Sequence, residues 1–264
     1  MSNSEMVLHL GAHRTGTTSL QAYLRANSDL LAARGVECFT PRELRADEDV
    51  RYYGMPRCIV SEENIIGSMR NNMARGTLYS DVGDRLLRHP ALLEQTTTIV
   101  LSIRDLADWW RSAILFTVYH ARRPIKVPTP TDMLRIAMRP RGWMQVAEDI
   151  HRAAPHARLV VRDFGWRTAN PSLFLRRATG WDVFKGTVID PKKGNASPSV
   201  QELSDALFDR QHFENFKKLS NLDPKMLFLP DAVEHMRQQY RRDLKDLTAS
   251  EFVTFLGNAS THEV

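Results

Sequence analysis

Cysteine is scarce in this chain: Cys38 and Cys58 are the only two among 264 residues. Neither belongs to a C-x-x-C pair or a Cys/His cluster, so no zinc site, other metal site or disulfide framework is expected. Both sit beside apolar residues and read as buried free thiols. There is no uninterrupted apolar run of about 18 residues, so no membrane-spanning helix is expected. Basic residues are scattered and never form a run of five or more, so no nucleic-acid partner is expected. The polar start Met1–Glu5 leads straight into an apolar run and does not read as a signal peptide. These absences together predict a soluble cytoplasmic protein. Repeats are absent, and no linker is long enough to divide domains, which predicts a single domain over residues 1–264.

Hydrophobic residues make up 42% of the chain, enough to bury a sizeable core. The formal net charge of +5 suits an anionic ligand. Short β-branched runs alternate with helical patterns through the first two-thirds. Residues 36–39, 57–60, 97–103 and 158–163 read as strands, and 17–34, 80–95, 106–120, 131–137, 144–153 and 171–179 as helices. That alternation predicts an α/β fold with a parallel sheet covered by helices on both faces. The remainder, 200–256, reads as a helical C-terminal region interrupted at Pro224 and Pro230.

The most informative stretch is Val7-Leu8-His9-Leu10-Gly11-Ala12-His13-Arg14-Thr15-Gly16-Thr17-Thr18-Ser19-Leu20-Gln21. An apolar strand ends in a glycine, a second glycine follows five positions later, and hydroxyl residues open an amphipathic helix. Backbone N–H groups of such a loop, with the positive end of the helix, cradle an anion. The spacing is that of a P-loop. A nucleotide kinase needs lysine directly after the second glycine to reach the outer phosphates. That position is Thr17 here, and the basic residue, Arg14, lies inside the loop.

The segment Gly11–Gln21 resembles the 5′-phosphosulfate loop of sulfotransferases, the bacterial and heparan-type branch especially. Its usual form is G-x-x-K-T-G-T-T-x-L-Q, and the one departure is Arg14 in place of lysine. The resemblance extends to Thr97–Ser112. There a strand ends at Arg104 and Ser112 follows eight residues on in the next helix, the pattern with which this family holds the 3′-phosphate of its donor. A weaker likeness is Lys192-Lys193-Gly194, similar to the basic loop that closes over the donor, followed by Asn195-x-Ser197. The resemblance implies a P-loop-type sheet of about five strands. It also implies 3′-phosphoadenosine 5′-phosphosulfate (PAPS) as sulfonate donor and 3′-phosphoadenosine 5′-phosphate (PAP) as product, with no metal required. The donor contacts it implies are Gly11, His13, Arg14, Thr15, Gly16, Thr17, Thr18, Arg104, Ser112, Lys193 and Gly194.

In the family the loop lysine bridges the leaving oxygen and the transferring sulfonate, a place that falls to Arg14. Arginine keeps the charge but is bulkier and cannot deprotonate. For the base that takes the acceptor's proton, Ser61-Glu62-Glu63-Asn64 follows a strand and resembles the bacterial S-x-E pattern. Glu63 fits that spacing and Glu62 stands closer to the strand; both are candidates, and either can instead cap the next helix. His9 reads as a satisfied core residue and His13 as a ligand contact rather than the base. The acceptor is a hydroxyl or amine on a carbohydrate, lipid or small molecule, and segments 65–80 and 116–145 are the expected acceptor region. A homodimer is compatible with the sequence. Two other readings stay open: a P-loop nucleotide kinase or NTPase, and a donor-binding relative without catalysis.

Overall fold

The computed structural model describes residues 4–41, 56–122, 128–138, 140–165, 170–188, 198–209 and 227–257. Six parallel strands form one sheet in the order β2-β3-β1-β4-β5-β6. They are β1 (Glu5–His9), β2 (Glu37–Phe39), β3 (Arg57–Ser61), β4 (Thr96–Ile103), β5 (Arg158–Asp163) and β6 (Val253–Leu256). β1 lies between β3 and β4, with Val7 beside Ile59 on one side and Thr98 on the other. From β1 the chain runs out to the edge strand β2, returns to β3 between the two, then crosses past β1 to β4 and continues to β5 and β6. The direction of winding therefore switches at β1, and ligands of open α/β sheets bind outside the carboxyl ends at such a point.

Alternate residues of the central strands feed two separate apolar clusters. Val7, Ile59, Val100 and Val160 join Leu20, Tyr23 and Leu24 of α1 (Thr17–Ala26). Met6, Leu8, Val60, Ile99, Leu101 and Val161 join the other cluster. That second cluster includes Trp109, Trp110 and Trp143, all fully buried. It is the period-two geometry of strands buried on both sides.

Two helical segments are shorter than the sequence pattern suggests. The helix expected over 17–34 ends at Ala26, and α2 (Ser28–Ala32) begins after Asn27. The Asn27 side chain donates to the Tyr23 carbonyl and accepts from the Val188 N–H, both at 2.9 Å. The helix expected over 80–95 divides into α4 (Val82–Leu86) and α5 (Pro90–Gln95), because Pro90 begins a new helix rather than continuing one. Residues 65–76 form a 3₁₀ turn (Glu63–Ile66) and α3 (Met69–Arg75).

The C-terminal region is not wholly helical. After α10 (Val200–Asp209) and α11 (Pro230–Ala249), residues 253–256 form β6, so the sheet has six strands rather than about five. Between β4 and α10 lie α6 (Leu106–Tyr119), α7 (Pro130–Met138), α8 (Trp143–Ala153) and α9 (Pro171–Thr179). No described helix is long and apolar enough to cross a membrane. Cys58 is a buried thiol, as expected, and Cys38 is half-buried rather than buried.

Candidate functional site

The loop after β1 first runs on as if it were strand. The N–H groups of Leu10 and Ala12 donate to the carbonyls of Val100 and Ser102 on β4. It then turns through three residues of positive φ: Gly11 (44°), Arg14 (65°) and Gly16 (84°). Gly11 has no room for a side chain, since a Cβ there would stand 2.6 Å from Thr17 Oγ1 and 2.7 Å from His9 Cε1. Arg14 is a non-glycine residue in the left-handed region, a conformation that costs free energy and concentrates at functional sites. Thr15 and Thr17 tie the loop across itself, both donating through Oγ1 to the Ala12 carbonyl. Gly16 is the N-cap of α1 and supplies no side-chain cap, so the positive helix end faces the loop without one. Thr18 is exposed on the first turn.

An aromatic cluster holds this loop from outside. Trp109 Nε1 donates to the His13 carbonyl at 2.7 Å. The His13 N–H donates to the Tyr79 hydroxyl at 3.0 Å, and that hydroxyl lies 2.9 Å from His13 Nδ1. Asn64 Oδ1 can only accept, so His13 Nε2 is the donor there, and in the neutral ring Nδ1 accepts from the Tyr79 hydroxyl. The imidazole proton then sits on Nε2, 3.4 Å from Asn64 Oδ1. Burial lowers the His13 pKa to about 4, so the ring is neutral at pH 7. Trp143 packs on both Tyr79 and Trp109 and donates through Nε1 to the Arg104 carbonyl at 2.6 Å. One aromatic cluster thus grips both motif segments.

Arg14, Arg104 and Ser112 converge. Arg14 Nε donates to Ser112 Oγ at 2.8 Å, and its guanidinium lies 4.4 Å above the Phe116 ring. Arg104 Nη1 donates to the Arg14 carbonyl at 3.3 Å, with its guanidinium over Phe164. The neighbouring carboxylates make their bonds elsewhere, Asp105 accepting from the Asp108 N–H at the start of α6 and Asp108 pairing with Arg111, while their charges act on Arg104 through space. Burial lowers the pKa of both arginines, and the charge of Arg104 lowers that of Arg14 further. Two half-buried cations side by side on an amide-rich loop raise the local positive potential, which favours an anion.

The two glutamates part company. Glu62 is the N-cap of the 3₁₀ turn, and its Oε1 accepts from the Asn64 N–H at 2.9 Å and from Asn64 Nδ2 at 2.6 Å. Glu63 Oε2 instead accepts from Gln21 Nε2 of α1 at 2.7 Å. Gln21 also lies 3.4 Å from the Ser61 hydroxyl, which bonds His9 Nδ1 at 2.9 Å. His9 is buried as expected, and burial lowers its pKa to about 3. Lys193 and Gly194, with Lys192, Asn195 and Ser197, lie outside the described residues.

Gln21, Tyr79 and Phe164 are neighbours of the site to which the sequence gives no role. Gln21 stands inside the loop motif itself, so its position was visible. Tyr79 and Phe164, which approaches within 3.2 Å of a Cβ built on Gly16, carry no sequence signal. A cleft of about 300 Å³ opens between α3, α6 and α7, lined by Arg70, Met73, Thr117, Asp132 and Arg135. It falls within the segments expected to face the acceptor. Compared with protein-family models, curated proteins and solved structures, the chain matches none.

Proposed function

We propose that this protein is a PAPS-dependent sulfotransferase that moves a sulfonate to a hydroxyl or amine acceptor. The observation that carries the reading is the convergence of Arg14, Arg104 and Ser112 on the Gly11–Thr17 loop. In this reading the sheet is of the P-loop type with helices on both faces. The loop amides, Thr17 and Thr18 hold the 5′-phosphate, while Arg104 and Ser112 take the 3′-phosphate. Arg14 spans the leaving oxygen and the transferring sulfonate.

The chemistry asks little beyond positioning and charge. The acceptor oxygen or nitrogen attacks sulfur as the bond from sulfur to the bridging phosphate oxygen breaks. Negative charge then collects on the departing phosphate, where Arg14 and the loop amides stabilise it. Glu63 takes the acceptor's proton, and Gln21 holds its carboxylate in place. Position 17 carries threonine rather than lysine, so a nucleotide kinase would lack its outer-phosphate contact.

Isothermal titration with PAP, set against ATP plus Mg²⁺, tests the donor class. Binding of PAP without metal and little binding of ATP supports the proposal; the reverse preference sinks it and favours a kinase. Sulfonate transfer to a panel of phenols, amines and sugars then separates an enzyme from a donor-binding relative without catalysis.

A further inference from the structure

Arg162 is a buried cation at the carboxyl end of the sheet, and the sequence gives it no role. It stands near the carboxyl end of β5, in register with Ser102 of β4. Ser102 is also the residue whose carbonyl accepts from the Ala12 N–H, so Arg162 stands level with the loop. It is 5% exposed. Its Nε is sealed from solvent with no hydrogen-bond partner. The hydrogen bonds of the adjacent Asp163 go elsewhere, to Tyr240 and the Gly165 N–H; its charge favours the charged form of Arg162, but burial outweighs it and lowers the Arg162 pKa to about 10. The contact that Arg162 does make is stacking: its guanidinium lies 4.3 Å from the centroid of Phe174. The same ring packs edge-on with His9, whose imidazole fills the space under Gly11.

A charge buried without a partner is strongly unfavourable, and folded chains keep one only where something else compensates. Stacking on one aromatic ring offsets a part of that cost. His9 offers no negative charge in either protonation state, and burial and the Arg162 charge keep it neutral rather than a second cation. What is missing beside Arg162 is an oxyanion, and the Gly11–Thr17 loop at the same level of the sheet is built to hold one. We infer that Arg162 is an anion-binding residue of this site, donating from the β5 side to a phosphate or sulfonate oxygen of the ligand on the loop. The inference rests on the sulfotransferase reading only for the identity of that ligand. The unliganded protein then keeps an unfavourable buried cation that binding relieves.

The idea makes two opposite demands on one substitution. Arg162→Met removes an unpaired buried charge and keeps much of the volume, so the unliganded protein should melt at the same or a higher temperature. The same change should weaken PAP binding about tenfold or more, as loss of a charge-assisted hydrogen bond does. Arg162→Lys keeps the charge and should fall between. Melting curves without ligand and titrations with PAP and with inorganic sulfate, on all three proteins, read both. If wild type binds PAP and Arg162→Met binds it equally well, the inference fails and the functional reading stands. If Arg162→Met melts well below wild type or does not fold, Arg162 is structural and the inference also fails. If wild type ignores PAP, the functional reading fails. Arg162 is then judged on sulfate alone: a sulfate-induced rise in melting temperature lost in Arg162→Met upholds it, and a rise retained, or no rise in wild type, overturns it.

Discussion

The guanidinium of Arg14 donates to the hydroxyl of Ser112 at 2.8 Å across 98 positions of sequence. The proposed sulfotransferase reading would send these residues to opposite ends of the donor, one to the sulfonate and one to the 3′-phosphate. In the folded chain they are a single contact, formed because α6 starts beside Arg104 and brings its second turn over the loop. A 3′-phosphate arriving at Ser112 would compete for the hydroxyl that Arg14 uses. If the proposed function holds, occupation of one end of the donor site would be coupled to the freedom of the residue at the other.

Arg104→Ala is expected to weaken PAP binding by about 2 kcal/mol or more, the scale of a lost charged hydrogen bond. Titration calorimetry checks this, and unchanged affinity would remove Arg104 from the site.

Glu63→Gln is expected to leave PAP affinity close to wild type while depressing turnover by about 100-fold or more, the usual contribution of a general base. Gln21→Leu should lower turnover in the same direction by less, because it frees the carboxylate without removing it. Steady-state rates decide the matter. If Glu62→Gln is the variant that loses turnover, the base is one residue earlier.

Trp109→Phe keeps the ring in the aromatic cluster but removes the bond to the His13 carbonyl. A drop of about 1 kcal/mol in PAP affinity is expected, with secondary structure by circular dichroism unchanged. An affinity equal to wild type would show that the loop holds its shape without that bond.

Gly11→Ala should destabilise the fold by about 2–4 kcal/mol, combining a strained backbone with a Cβ pushed into Thr17 and His9. Urea denaturation measures this directly. A loss below about 0.5 kcal/mol, the ordinary range for surface changes, would mean that the loop opens easily around position 11.

Stability should fall as the pH is lowered from about 6.5 toward 4. His9 and His13 titrate near 6.5 when unfolded but only near 3 and 4 when folded, so the unfolded chain binds more protons across that window. Asp243 runs the other way, its carboxyl pushed up to about 6 by burial, and offsets part of the slope. Denaturation midpoints at several pH values should show His9→Gln with a shallower pH dependence than wild type, whatever its absolute stability. An equal slope would mean that His9 does not carry the effect.

The parts of the fold that were legible are those specified by neighbours in sequence. β4 and β5 are long β-branched runs, and α9 is bracketed by Asn170-Pro171 and Gly180, so their bounds agree within a residue. β6 was not legible because Val253–Leu256 is four residues long and becomes a strand only by pairing with β5. The break at Asn27 depends on Val188, far along the chain. The same division runs through the site. Gly11 and Gly16 declare themselves by spacing, and Arg14, Arg104 and Ser112 by the family resemblance. Tyr79, Trp143 and Arg162 acquire meaning only from what the fold sets beside them. Glu62 and Glu63 are chemically alike in sequence, and their separate hydrogen bonds distinguish them.

β6 also sets an order of events during synthesis. The edge of β5 that it covers is made from residues 158–163, more than 90 positions before its partner emerges from the ribosome. Until then the growing chain carries an open apolar strand edge, of the kind that pairs promiscuously with other chains. β6 can join the sheet only after α11 has been made, so a chain halted before Val253 should aggregate more readily than the longer one. Comparing soluble yields of chains ending at 249 and at 264 would show whether that late strand governs productive folding.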